Sequence, residues 1–221
     1  AENVARATGI TREEQDAMTV LRYEQYGAAL ANDRAFQRRY MAAVTVRAGK
    51  KETGKIEADE GVFPTSAEGL ARLKPVREGG TVTFGSQTHP ADGNAGVIVC
   101  TREKASELSR DPRLTVQLLS YGESRVDKGM MPTASVPAAK VALERAGIEL
   151  SECKSIKTHN PFAINDVYFC RQTGRSPETM NRYGSPLVYG HPQGPTGLRV
   201  VIEMIEEGRP CVIGRTEGVE L

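Results

Sequence analysis

Three histidines and four cysteines are the residues of this 221-residue chain best suited to acid–base or nucleophilic chemistry. His191 lies between Gly190 and Pro192 in a run from Ser185 to Leu198. The glycines of that run allow tight bends and its prolines fix φ. An imidazole held on such a turn can take and return a proton near neutral pH. Spacing alone favours a plainer reading, a turn histidine on the surface. His159 precedes Asn160-Pro161, a pair that reads as the N-cap and first residue of a helix. A group just before a helix N-terminus meets unsatisfied amides and the positive end of the dipole, which suits oxyanion stabilisation. Asn160 alone also explains the helix start, in which case His159 merely ends a strand. His89, beside Pro90 in a turn, reads as a surface residue.

The cysteines (Cys100, Cys153, Cys170, Cys211) are widely spaced, with no Cys-x-x-Cys pair. This argues against a zinc site and against a secreted disulfide framework, and a reduced, cytoplasmic protein is the fitting expectation. Cys100 reads as a core residue closing an apolar strand. Cys211 reads as a small apolar residue in a strand from Cys211 to Ile213. With 29 basic and 28 acidic residues the net charge is +1, and no basic block points to a nucleic acid or membrane partner. No apolar run approaches the ~18 residues of a membrane span, and no signal peptide is evident. The missing initiator Met and helix-like start at Ala1 suggest a chain that begins mid-fold.

The elements expected to position the histidines follow from capping and periodicity. Leu187 to Tyr189 reads as a short buried strand leading into the His191 turn. Leu198, Val201, Ile202 and Ile205 recur at helical spacing after it. Thr11-Arg12-Glu13-Glu14 is a capping box opening a helix to about Leu30, with Met18 and Leu21 on its inner face. A short basic helix is expected from Asn32-Asp33 through Arg39, and an edge strand at Val44 to Val46. The polar, Gly-punctuated stretch from Gly49 to Gly61 reads as a solvated loop. A buried strand is expected at Val97–Cys100 and a strand at Leu114–Leu119, separated by a break at Asp111-Pro112. A helix follows from Val136-Pro137 to Gly147, and another from Asn160 to Gly174. Strand–helix alternation of this kind points to an α/β layered fold.

Gly190-His191-Pro192, with Gly194 and Thr196-Gly197, closely resembles the histidine-bearing loop of thiolases, acyltransferases that make and cleave 3-oxoacyl-coenzyme A. Further matches run in family order: Ala1 to Ala5, Gly9 to Asp16, Leu73 to Val76, Thr81 to Thr83, Asp92-Gly93, and Thr158 to Asp166. The series extends from residue 1 to about residue 207. Most thiolases carry Asn-Glu-Ala-Phe at the second motif. His159-Asn160-Pro161-Phe162 is more similar to the His-Asp-Cys-Phe variant of sterol-carrier and archaeal members, where the histidine contributes directly.

This resemblance implies an α-β-α-β-α thiolase-like fold lacking most of the N-terminal half. Residues 1–79 would be the loop region that covers the active site, 80–112 the end of the first half, and 113–221 the second half. It implies His191 as general base, His159 as oxyanion donor and Cys211 as the one candidate for the second catalytic cysteine, although the expected Cys-x-Gly spacing is not kept. The acyl-carrying cysteine of the family falls upstream of the residues matching Ala1, so the chain alone is expected to lack turnover. Thr88 falls where the family has a serine near the pantetheine arm, and Ser86 and His89 replace an Asn and a Gly. Lys50 and Lys51 could meet phosphates, though a solvated loop suits a lysine pair as well. No metal or cofactor is implied; coenzyme A and acyl-CoA are substrates. The partners implied are a second copy, as dimer or tetramer, or a nucleophile-bearing chain. A non-catalytic thiolase-like subunit that holds acyl-CoA or a partner is the alternative. A nucleotide-binding module fits poorly, because Gly190, Gly194 and Gly197 match neither the P-loop nor Gly-x-Gly-x-x-Gly.

Overall fold

The structure, a computed structural model, describes residues 1–109, 111 and 116–208. Two helices begin the chain, α1 (Glu2–Thr8) and α2 (Arg12–Ala29). Gly9 ends the first with φ 65°. The capping box forms as read: the Thr11 hydroxyl accepts from the Glu14 amide, and the Glu14 carboxylate accepts from the Thr11 amide at 2.8 Å. Met18 is buried and Leu21 packs partly buried against the same core. In place of a basic helix there is one turn, α3 (Ala31–Arg34), then a 3-10 turn Gln37–Arg39. Asn32 and Asp33 take left-handed φ of 54° and 55°, a conformation their short polar side chains tolerate better than most.

Val44 falls in a strand as expected, β1 (Val44–Ala48), but it pairs antiparallel with β2 (Lys51–Ile56), so half of the expected loop is the second arm of a hairpin. Both arms are exposed throughout. Polar residues on both faces hid the alternation that would mark a strand. Then come α4 (Ala67–Ala71) and α5 (Arg102–Leu108).

The two long apolar runs behave differently from the expectation. Val97 to Cys100 forms no strand, and Ile98 and Val99 are 80% and 77% exposed. Cys100 is likewise exposed rather than in the core. Val116 to Leu119 is also irregular and exposed, with residues 114 and 115 outside the described set. A buried strand needs a neighbour on each edge and a layer on each face, and no described strand lies beside either run.

The helix expected at Val136 is α6 (Ser135–Ala146), ended by Gly147 at φ 73°. Next, α7 (Ala163–Thr173) starts later than Asn160, with Phe162 at its N-cap. The Asn160 side chain, in place of capping, turns inward to Asp166 and the Leu187 amide. Residues 161–163 instead pair with the 86–88 turn, through Thr88 N–H to the Pro161 carbonyl (2.8 Å) and Ala163 N–H to the Ser86 carbonyl (2.9 Å). Leu187 to Tyr189 is buried as expected but is the single turn α8 (Pro186–Tyr189), not a strand. Pro186 at its first position presets helical φ, and a short apolar run does not by itself separate strand from buried helix. Finally α9 (Gly194–Gly208) follows the His191 turn as read. The residues whose spacing marked it are not its buried face: Leu198 is exposed, and Val201, Ile202 and Ile205 are half-buried. Val200 and Met204 are buried instead, together with Glu203, Glu206 and Glu207.

The main core joins α1, α2, α7 and α8 through Val4, Ile10, Met18, Ile164, Val167 and Leu187. Among the described residues the hairpin is the one sheet, so the layers expected of an α/β fold are represented here mainly by their helices.

Candidate active site

His159 is held by a buried polar hub. The Asp166 carboxylate, on the first turn of α7, accepts from Thr158 Oγ1 (2.5 Å), Asn160 Nδ2 (2.7 Å), Asn181 Nδ2 (3.1 Å) and Arg22 Nε (2.8 Å). Arg22 and Asp166 are fully enclosed, and Arg22 also donates to the carbonyls of Pro177 and Met180. A buried charge is tolerated when paired and hydrogen-bonded in this way. Thr158 and Asn160, the two neighbours of His159, are thus both tied to one carboxylate.

His191 is held by a second loop system. Gly190 has φ 92°, and a Cβ there would come 2.7 Å from Ala91 Cβ and 2.9 Å from His89 Nε2. The position therefore requires glycine both for its conformation and for close approach. The His191 amide donates to the His89 carbonyl at 3.1 Å, and His191 Nδ1 lies 2.7 Å from Thr196 Oγ1 at the start of α9. The two loops are joined by Asn160, whose Oδ1 accepts from the Leu187 amide at 3.3 Å.

This scaffolding brings the two histidines into contact. His159 Nε2 stands 3.3 Å from His191 Nδ1 and 3.2 Å from its Nε2, with ring centroids 4.4 Å apart. The His159 side chain reaches solvent. Even so, desolvation by the surrounding protein, and secondarily the charge of His191, lower its pKa from the ordinary histidine value. A neutral imidazole pair at the mouth of two loops can accept a proton at one ring and donate an N–H at the other.

The other sequence candidates fall in different places. Thr88 precedes His89, whose carbonyl accepts from the His191 amide, and its hydroxyl donates to the Pro186 carbonyl at 2.6 Å. Ser86 is fully buried, and its hydroxyl accepts from the Thr83 amide at 3.0 Å, which closes it to direct contact with a ligand. It acts instead by shaping the turn that receives Ala163. Cys211 lies outside the described residues. His89 is not the surface residue expected: its ring packs against Gly190 and Gly61, and its Nε2 is shielded from solvent. Thr196 belongs to the string that resembles the thiolase loop but is not among the site residues the resemblance implies; its hydroxyl is the group that meets His191. Among the described residues no cluster of three or more histidine, cysteine or acidic side chains could hold a metal.

Two loops thus present facing imidazoles, each fixed by buried polar contacts, in a helical frame. The models for "Thiolase, N-terminal domain" and "Thiolase, C-terminal domain" match residues 1–103 and 113–210. The chain belongs to the thiolase family. It is 35% identical over 213 residues to rat peroxisomal 3-ketoacyl-CoA thiolase B, covering 94% of this chain and 49% of that protein. It is 33% identical over 210 residues to an acetyl-CoA acetyltransferase of Syntrophomonas wolfei, covering 94% of this chain and 52% of the relative. The crystal structure of Bacillus anthracis acetyl-CoA acetyltransferase superposes with a TM-score of 0.86 at 28% identity, over 95% of this chain and 52% of that one. Human mitochondrial 3-ketoacyl-CoA thiolase superposes with a TM-score of 0.80 at 26% identity, again over 95% and 52%. The chain therefore has the α/β thiolase fold, and it spans about half the length of the curated relatives it matches. No described helix is long and apolar enough to cross a membrane.

Proposed function

We propose that this chain carries the histidine-bearing part of a thiolase-type acyltransferase, acting on acyl-CoA and coenzyme A in Claisen condensation or thiolytic cleavage. The observation that carries the reading is the approach of His159 and His191 to 3.2–3.3 Å from two separate loops. In the mechanism His191 takes the thiol proton and the cysteine thiolate attacks a carbonyl. In condensation this is the thioester carbonyl, whose C–S bond breaks to release protonated coenzyme A. In cleavage it is the 3-oxo carbonyl, whose C2–C3 bond breaks to release an acyl-CoA enolate that is then protonated. The acyl group then passes from sulfur to coenzyme A, or to the enolate of a second acyl-CoA. His159 donates its N–H to the developing oxyanion. Its lowered pKa favours the neutral ring, which retains one N–H for that bond. Cys211 is the candidate for the second cysteine, Thr88 lies where the pantetheine arm would pass, and residues 1–79 would cover the site. A homo-oligomer and a cytoplasmic location complete this reading, the latter supported by cysteine usage.

The test is coenzyme A-dependent cleavage of acetoacetyl-CoA, assayed on the 221-residue chain alone and on the chain joined to the polypeptide encoded directly upstream. Turnover is expected only in the second case. There, His191→Ala should lower acyl-enzyme formation by about 10²–10⁴-fold, and His159→Ala should lower turnover by about 10²–10³-fold. Binding of acyl-CoA without turnover in either case would support a non-catalytic thiolase-like subunit. No binding and no turnover would overturn the proposal.

A further inference from the structure

Beyond the Asp166 hub lies a second buried carboxylate that touches both histidine-bearing segments. Glu203, on the buried face of α9, is 1% exposed. Its Oε1 accepts from Tyr40 Oη at 2.7 Å and Arg199 Nε at 3.0 Å. Its Oε2 meets Lys157 Nζ and Tyr189 Oη, each at 3.4 Å. Lys157 stands two residues before His159, and Tyr189 two residues before His191. We propose that Glu203 is a positioning residue for the histidine pair, fixing the separation of the two loops from beneath.

Its surroundings are those of a pinned anion rather than of a loose surface charge. Lys157 also lies 3.6 Å from Glu207 Oε2, and Glu207 pairs with Arg182. Arg199 holds Asp59 through both terminal nitrogens, at 2.5 and 2.8 Å, and its guanidinium lies 3.5 Å over the Tyr189 ring. So three cations face three carboxylates around Glu203. The Tyr40 and Tyr189 hydroxyls are held in their protonated form by burial and then by the nearby Glu203 charge. A buried carboxylate with four donors tolerates little displacement, because each donor would be left unsatisfied. Two of those donors are fixed to the backbone beside the histidines, so moving the carboxylate moves the imidazoles. Its consequence for turnover rests on the acyl-transfer reading; its effect on the imidazole pair does not.

The test reads each histidine directly, by pH titration of the imidazole nitrogens in long-range ¹H–¹⁵N spectra of the 221-residue chain. Glu203→Gln keeps the shape but places an NH₂ against Lys157 or Arg199. It is expected to change the ring-nitrogen shifts of both histidines and to lower the His159 pKa further, because Lys157 and Arg199 lose a compensating charge. Lys157→Met should move His159 more than His191, and Tyr189→Phe the reverse. Tyr40→Phe removes a donor from a segment that bears neither histidine, so it should lower the melting temperature and affect both histidines less than Glu203→Gln does. Titrations of Glu203→Gln and Lys157→Met that superimpose on those of the parent would overturn the inference, as would an equal shift in Tyr40→Phe. Should Glu203→Gln not fold, Lys157→Met and Tyr189→Phe decide the matter. In an active assembly the same variants should lower kcat by about 10–100-fold with little change in KM. Imidazoles that move in these variants, with no acyl transfer by the joined assembly, would sink the acyl-transfer reading and leave this one standing.

Discussion

Thr196 Oγ1 lies 2.7 Å from His191 Nδ1, and both are carried by the same turn into α9. With Nδ1–H donating to that hydroxyl, the lone pair of His191 is left on Nε2, the tautomer a general base needs. Thr196→Val should keep the volume and remove the bond. Loss of a hydrogen bond of about 0.5–1.5 kcal/mol corresponds to a rate lower by up to about 10-fold. Thr196→Ser should restore it. The ¹⁵N shifts of His191 check the tautomer, and unchanged shifts in Thr196→Val would remove Thr196 from the site.

Gly190→Ala should be costly at two levels. The residue sits at φ 92°, and the new methyl would press on Ala91 Cβ and His89 Nε2. Strain of this kind costs on the order of 1–3 kcal/mol. Chemical denaturation should show a lower midpoint, and the His89 resonances should move with it.

Protonation of His159 should destabilise the chain. Its pKa is lower folded than unfolded, so the unfolded state binds more protons as the pH falls. The penalty is absent well above the unfolded value of about 6.5, begins near it, and is complete below the folded value. Melting temperatures measured from pH 8 to pH 5 should therefore fall over that interval. His159→Gln should flatten the part of the slope that belongs to this group. A profile identical in the two proteins would mean that His159 titrates as an exposed residue.

Cys100 and Cys170 should differ sharply toward alkylating agents. Cys100 is exposed, whereas burial, aided by the Asp166 charge, pushes the Cys170 thiol up to about 11. Since the thiolate is the nucleophile, timed iodoacetamide labelling at pH 8 with peptide mapping should find Cys100 modified long before Cys170. Equal rates would contradict the packing of α7.

Local chemistry was the part of this fold most legible in the sequence. The Thr11 capping box, the Gly147 and Gly174 helix ends and the existence of α9 each depend on residues a turn or so apart, and each formed, although α9 buries a different face from the one its spacing marked. The readings that failed depend on distant partners. Val97 to Cys100 has the composition of a buried strand, but composition does not say whether a neighbouring strand is within reach. Asn160 has the right type and place for an N-cap, yet Asp166 draws its amide inward and the helix starts later. For the site, the motifs found His159 and His191 but not what holds them. Arg22, Asn181 and Glu203 lie far apart and carry no motif, Thr196 lies in the motif without an assigned role, and their polar types alone do not disclose that they are buried.

The attachment of Thr158 and Asn160 to one carboxylate makes residue 159 a socket. Its backbone is fastened on either side by bonds that the 159 side chain does not make. Different side chains can therefore be installed there without rebuilding the wall behind them. Replacements at this position should report the chemistry of the installed group almost undiluted by folding. A lineage altering its reaction could exchange that one residue while the framework stays as it is.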